Sequence, residues 1–276
     1  MFSCLVDGAL ATHVPADDRG LAYGDGMFET LAVVGGKPRL WQGHVDRLRR
    51  GGERLGIPVP PQEVLLREVQ TVAAGQPQCI VKIVLTRGSG GRGYAPPESP
   101  EPRRIVSAHG WPDGLEADRR DGVHAALCET RLAIQPLLRG IKHLNRLEQV
   151  LAAAESPVQG GRHGIVRNTE GFVICGVSAN LFLVSEGQLL TPRMDRSGVH
   201  GVLRGLLLRE HAARTERRRV SLDLLAEADE LFFCSAIRGI VPIVSLAGAA
   251  GEVRDYPIGP VTLEMQAWCD GVFGRG

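Results

Sequence analysis

The chain has 276 residues, enough to bury one large core or two of ordinary size. Its 32 Lys plus Arg balance 31 Asp plus Glu, so a net charge of +1 gives no electrostatic reason to expect nucleic acid or an anionic membrane as partner. The start MFSCLVDGAL has no basic leader, and no apolar run approaches the roughly 20 residues that span a bilayer, so the expectation is a cytoplasmic protein whose anionic ligands are held by local charge.

In chain order, residues 28–34 (FETLAVV), the turn Gly35-Gly36-Lys37-Pro38 and Arg39-Leu40-Trp41 predict a hairpin, because paired glycines supply the positive φ of a tight turn. From His44 the spacing of Val45, Leu48 and Leu55 is helical and ends near Gly56, and a second helix is expected over 62–74. Residues 79–86 (CIVKIVLT) and 104–108 (RIVSA) read as strands joined by the loop GSGGRGYAPPESPEP. The mixed Gly, Pro and charge of 111–122 mark a connection between a smaller domain over 1–110 and a larger one over 123–276.

The second half predicts a strand at 123–131, a helix over 143–155, and strands at 164–167, 172–178, 180–184 and 188–191. A helix over 201–213, strands at 231–235 and 240–246, and a helix from Pro260 follow. Neither strict βαβ alternation nor an all-β pattern is present, so the fold class is α+β with two sheet-containing domains. The six cysteines are scattered without a C-x-x-C pair, which predicts buried free thiols and no metal site.

Only Lys37, Lys82 and Lys142 are lysines, so chemistry that needs a lysine has three candidates. Lys37 is expected in a solvated turn and Lys82 on the solvent face of an apolar strand. Lys142 stands between a strand and the helix LNRLEQVLAAAE, whose Leu144, Leu147, Leu151 and Ala154 are read as a stripe that buries one face. Arg47 lies roughly 100° round the first helix from Leu48, so it can reach past the apolar stripe. The segment DRGLAYGDGMFET packs Gly20, Gly24 and Gly26 before a strand that carries Thr30. Gly198 and Gly201 open the helix at 201, leaving N–H groups for an anion or marking a simple cap. Arg92 and Tyr94 sit in SGGRGY, which lacks the lysine of a phosphate loop but suits a carboxylate clamp as well as it suits a flexible turn.

Taken together, DRGLAYGDGMFET, HVDRL, GIKHLNRLEQVL, SANLFLV and TPRMDRSGVHGVLRG follow one another as in the fold-type IV pyridoxal-phosphate enzymes. That group contains branched-chain aminotransferases, D-amino acid aminotransferases and aminodeoxychorismate lyases, and the resemblance covers nearly the whole chain. It implies a small N-terminal α/β sandwich domain and a larger C-terminal β-barrel-like domain with helices, the latter carrying the cofactor lysine. KHLNRLEQVL and RGSGGRGY are similar to the lyase branch, which releases 4-aminobenzoate and pyruvate on the way to folate; the alternative is an aminotransferase for D-amino or branched-chain amino acids.

By that resemblance Lys142 carries pyridoxal 5'-phosphate, Arg47 grips the phosphate, and Val202, Leu203, Ser235 and Ala236 complete the phosphate cup. Thr30, Arg92 and Tyr94 would face substrate, and a homodimer is implied. One position departs from the family: an acidic residue that meets the cofactor's pyridine nitrogen is replaced by Cys175. A thiol is a poor partner for a pyridinium, so the ring should be a weaker electron sink, a change that harms amino transfer more than an elimination driven by aromatisation.

Overall fold

A computed structural model describes residues 3–158, 163–248 and 251–274. The chain divides into two compact units, one of Met1–Pro112 with Ile141–Asn145, the other of Asp113–Gly140 with Arg146–Gly276.

The first unit runs β1 (Cys4–Val6), β2 (Ala9–Leu10), α1 (Arg19–Tyr23), β3 (Gly26–Val34), β4 (Lys37–Pro38), α2 (Trp41–Leu55), α3 (Gln62–Ala73), β5 (Gln78–Thr86) and β6 (Arg103–His109). Its sheet has the order β2-β1-β6-β5-β3-β4 and is antiparallel throughout. The β3–β5 register runs from Gly26↔Thr86 to Val34↔Gln78, so odd-numbered residues of both strands share one face. That face holds Met27, Leu31, Val33, Val81, Ile83 and Leu85, packed with Leu48 of α2 and Leu65 and Val69 of α3. The hairpin turn is confined to Gly35-Gly36, since Val34 pairs with Lys37, and α2 begins at Trp41, three residues before the expected start.

The second unit runs α4 (Leu115–Asp121), β7 (Val123–Leu132), α5 (Leu147–Val158), β8 (His163–Asn168), β9 (Val173–Gly176), β10 (Asn180–Ser185), β11 (Gln188–Pro192), α6 (Val202–Glu210), β12 (Thr215–Arg218), α7 (Leu222–Ala226), β13 (Glu230–Ser235), β14 (Gly239–Ala247), β15 (Val253–Asp255) and α8 (Pro260–Phe273). Its nine-stranded sheet follows β12-β11-β10-β13-β14-β7-β8-β9, with β15 added to β14. The sheet curls until its two ends meet, Val173 of β9 bridging Val220 just past β12. Leu181, Leu183, Leu231, Phe233, Val241 and Ile243 fill its inner face. The stacked rings of Phe182 and Phe232, 5.2 Å apart, lie on the opposite parity and are fully buried.

Three expectations are corrected. Residues 115–121 form α4 of the second unit rather than a bare connection. Lys142 does not belong to the larger C-terminal unit: Ile141–Asn145 packs with the first unit, because β4 pairs only with Val33 and Val34 and leaves the start of β3 open. The segment fills that edge, Phe28 N–H donating to the Lys142 carbonyl (2.9 Å) and Leu144 N–H to the Gly26 carbonyl (3.0 Å). A Cβ on Gly26 would stand 2.5 Å from the Leu85 carbonyl and 2.8 Å from Leu144 Cδ1, so only glycine permits this approach. Drawing residues 141–144 into this pairing delays α5 to Leu147.

Finally, the leucine stripe of α5 is not buried. Leu147 and Leu151 are 77% and 59% exposed, while Ala152 is fully buried. The helix seats its small residues on β7 and β8 and is pinned by carboxylates: Glu148 accepts from Ala133 N–H (2.8 Å) and Glu155 from Thr130 N–H (3.1 Å).

Candidate active site

In the first unit the catalytic candidates are placed by strand parity. Residues 141–144 run antiparallel to β3 with Met27 opposite His143, which puts Lys142 beside Phe28 on the even-numbered face. The Lys142 Nζ stands 4.3 Å from the centroid of the Phe28 ring. Thr30 lies on the same face, directly paired with Lys82, and Lys82 is paired in turn with Ser107. Lys82 Nζ is 5.1 Å from the same Phe28 centroid. Thus Lys82, expected in solvent, is half-buried, and its amine lies near the same Phe28 ring as that of Lys142. The alternation of CIVKIVLT gave its period, but only the pairing of residue 142 with β3 shows which face matters.

On the helix-covered face, Glu29 is fully buried and binds two bases from α2. Arg47 donates through Nε to Glu29 Oε1 (2.8 Å) and through Nη2 to Oε2, and His44 Nδ1 lies 2.6 Å from Oε2. Burial alone would raise the Glu29 pKa, but the Arg47 charge, the Arg47 hydrogen bonds and those of His44 outweigh it and hold it at about 2. Arg47 is therefore a fixed, 93%-buried cation in a bidentate pair rather than a flexible surface arginine (7% exposed). Its spacing gave no hint of Glu29, 18 residues away.

The loop with Arg92 and Tyr94 is anchored from below. Arg19 Nη1 donates to the carbonyls of Gly93 (3.0 Å), Gly90 (3.3 Å) and Ala95 (3.3 Å), and Nη2 to that of Tyr94 (3.1 Å). Arg19 is itself paired with Asp25 at 2.9 Å, as is Arg87 at 2.7 Å. Burial raises the Asp25 pKa, yet these two arginines bring it below its ordinary value. Arg92 and Tyr94 are exposed at the tip, with the Tyr94 ring 5.4 Å from that of Tyr23.

In the second unit Asn180 meets both the residues just before α6, which carries Val202 and Leu203, and the end of β13, which carries Ser235. Asn180 pairs with Cys234 at the end of β13, and its Nδ2 donates to the Val199 carbonyl (3.0 Å) just before α6. The N-cap of α6 is Gly201, which has no side chain to cap the first N–H groups of that helix. A Cβ on Gly201 would fall 1.9 Å from Asn180 Oδ1, so the helix start is pressed against this asparagine. Ser235 Oγ accepts from Arg238 N–H (3.1 Å) and shapes the turn that carries Ala236. A cavity of about 230 Å³ in the same unit is lined among others by Ala153, His163, Gly164, Gly176, Ser178 and Arg238, and not by Val202, Leu203, Ser235 or Ala236.

Cys175 is buried nearby in the chain, in a cluster with Cys128, Val166, Ile174 and Met194. Burial pushes its thiol up to about 12 against the opposing charges of Arg146 and Arg204. Burial also lowers Arg146 and Arg204 to about 10. Arg204 is anchored by Thr191 Oγ1 (3.1 Å) and the Pro192 carbonyl (2.9 Å). Cys175 thus stands as a neutral thiol among cations. Among the described residues, no group of three or more His, Cys, Asp or Glu could hold a metal ion, and no helix is long and apolar enough to cross a membrane.

An α+β chain with a lysine fixed on a strand edge and an uncapped helix start beside a strand turn matches one family throughout. The profile of the amino-transferase class IV family covers residues 26–246, and the chain belongs to that family. Among its relatives, the aminodeoxychorismate lyase of Vibrio harveyi is 36% identical over 264 residues, covering 95% of this chain and 97% of that protein. The crystal structure of 4-amino-4-deoxychorismate lyase from Pseudomonas aeruginosa superimposes with a TM-score of 0.90 at 42% identity, over 97% of this chain and 98% of that one. A hypothetical aminotransferase from Mycobacterium tuberculosis in its PLP-bound form shares the fold, with a TM-score of 0.83 at 22% identity over 99% and 98% of the two chains.

Proposed function

We propose that this chain is a pyridoxal-phosphate-dependent 4-amino-4-deoxychorismate lyase that forms 4-aminobenzoate and pyruvate. The observation that carries the reading is Lys142, held on the even-numbered face of β3 beside Phe28 and Thr30 in a chain that is 36% identical to a protein of that name.

The residues suit the cofactor at three places. The first unit would supply the amine of Lys142; Arg47, the phosphate ligand that the family resemblance implies, is locked to Glu29, which lies on the other, helix-covered face of the sheet. The second would supply the backbone N–H groups of Val202 and Leu203 and the turn of Ser235 and Ala236 for the phosphate. At the fourth place, Cys175, a buried neutral thiol suits an unprotonated pyridine nitrogen and not a pyridinium. When bound, pyridoxal phosphate supplies an aldehyde that takes the substrate's amine and a ring that withdraws electrons from it.

The Lys142 amine would be the base that removes the proton from the amine-bearing ring carbon. The enolpyruvyl group departs with its electron pair and ends as pyruvate, leaving the aromatic amine, so atoms balance without a second substrate. Thr30 and the anchored Arg92–Tyr94 loop would hold the substrate's carboxylates, as would the cationic even-numbered face. The reading includes a cytoplasmic homodimer. Exposed Leu10 and Tyr94 of the first unit and Leu147, Val150 and Leu151 of the second are the apolar surface a partner subunit would cover.

The test is turnover. Purified protein with pyridoxal phosphate should convert aminodeoxychorismate to equal amounts of 4-aminobenzoate and pyruvate, and Lys142→Ala should abolish both. Amino transfer to a keto acid without pyruvate release, or equal rates for the two proteins, overturns the reading.

A further inference from the structure

The cavity of about 230 Å³ in the second unit stands apart from the α6 start and from Ser235 and Ala236, and its wall divides by chemistry. Phe233, Val177, Ala179 and Ala153 form an apolar side, where the Phe233 ring stands 6.0 Å from that of His163. Gly164 and Gly176 add wall without side chains. At Gly176 a Cβ would stand 2.6 Å from Phe233 Cε1, so the ring packs directly against the β9 backbone.

The polar side is Arg238, which with His163 supplies the ionisable groups of the wall. Its Nη1 donates to Asp118 Oδ2 (3.1 Å) and lies 3.5 Å from His163 Nε2, contacts that hold the guanidinium in place. The other edge of the fork, Nε and Nη2, meets no acceptor among the described residues, and neither atom is sealed from solvent. An open guanidinium edge receives a carboxylate through two parallel hydrogen bonds, and Asp118 at the Nη1 corner orients that edge without occupying it.

We propose that this cavity is a binding site for a small aromatic monocarboxylate, its carboxylate on the Nε–Nη2 edge of Arg238 and its ring against Phe233. Size and wall chemistry set the class. The volume falls below the roughly 300–1,000 Å³ of sites for drug-sized ligands and suits a single ring. Inorganic phosphate would satisfy Arg238 and leave the apolar side wet, whereas an uncharged ring would leave the guanidinium edge to water. 4-Aminobenzoate combines the two features. That the natural occupant is this product rests on the proposed function, whereas the site itself does not.

Isothermal titration of the cofactor-loaded full-length protein with 4-aminobenzoate counts the sites and measures their affinity. Ala153→Leu, at an exposed position of α5 on the cavity wall, fills the space without touching Arg238. Wild type should bind one equivalent here with a Kd on the order of 0.1 mM, as suits a ligand of about ten heavy atoms. That equivalent should be lost in Ala153→Leu and weakened at least about tenfold in Arg238→Gln. Benzoate should displace it; aniline and inorganic phosphate should not. Product held at the Lys142 site adds an equivalent that both variants keep, so the difference between wild type and variant reads this cavity alone. Failure of the proposed function removes pyruvate release and leaves that difference intact. Unchanged binding in Ala153→Leu, or displacement by phosphate as readily as by benzoate, overturns the proposal, and Ala153→Leu decides even where Arg238→Gln does not fold.

Discussion

Replacing Glu29 with glutamine keeps the shape of the side chain but removes the charge that neutralises buried Arg47. In the folded chain Glu29 is held at about 2, against an ordinary value of 4.5, despite complete burial. That gap corresponds to about 3 kcal/mol of stability at neutral pH, in line with the cost of breaking a buried ion pair. Because the folded value is depressed, the contribution is complete above the ordinary value and is lost as pH falls towards the folded one, so a sizeable part of it has gone by about pH 3.5. Urea unfolding of wild type and Glu29→Gln, followed by tryptophan fluorescence at pH 7 and pH 3.5, measures both quantities. The variant should be less stable by about 3 kcal/mol at pH 7, with a visibly smaller gap at pH 3.5. A gap below about 1 kcal/mol at pH 7, or one that does not shrink in acid, refutes the description of Glu29 as the anionic keystone of this cluster.

Gly201→Ala places a methyl group 1.9 Å from Asn180 Oδ1, so the start of α6 must shift although its φ of −62° suits any residue. Titration with pyridoxal phosphate should show affinity reduced at least about tenfold; unchanged affinity removes the α6 start from the phosphate site. Of the six cysteines, five are buried and Cys4 is half-buried, so a thiol reagent at pH 8 should modify no more than one group per native chain and all six after unfolding. Rapid native modification of Cys175 contradicts a thiol pushed up to about 12 by burial.

Much of the architecture is legible in the sequence because short-range physics dictates it. The β-rich run CIVKIVLT, the Gly35-Gly36 turn and the helical spacing after His44 each fix a local element that the fold contains. What local pattern does not carry is pairing across long separations. Lys82 alternates with apolar neighbours, yet whether its face meets solvent or Lys142 depends on a contact between residues 28 and 142. Arg47 is visible as a helix residue, but not the Glu29 that fixes it. Asn180 stands plainly in SANLF, but its role appears only when Gly201 is brought against it. The α5 leucines fail for a different reason: apolar spacing marks a face that avoids water and cannot say whether the chain itself covers it.

The strand-like segment Ile141–Asn145 also governs when the first unit can be completed. During synthesis the opening 112 residues emerge with the start of β3 unpaired, and the residues that close it follow only after 28 more that belong to the other unit. Until then the nascent sheet presents open hydrogen-bonding groups beside Met27 and Phe28, the kind of edge that recruits a wrong strand. A fragment ending at residue 112 should therefore self-associate, and adding residues 141–145 as a separate peptide should suppress that association.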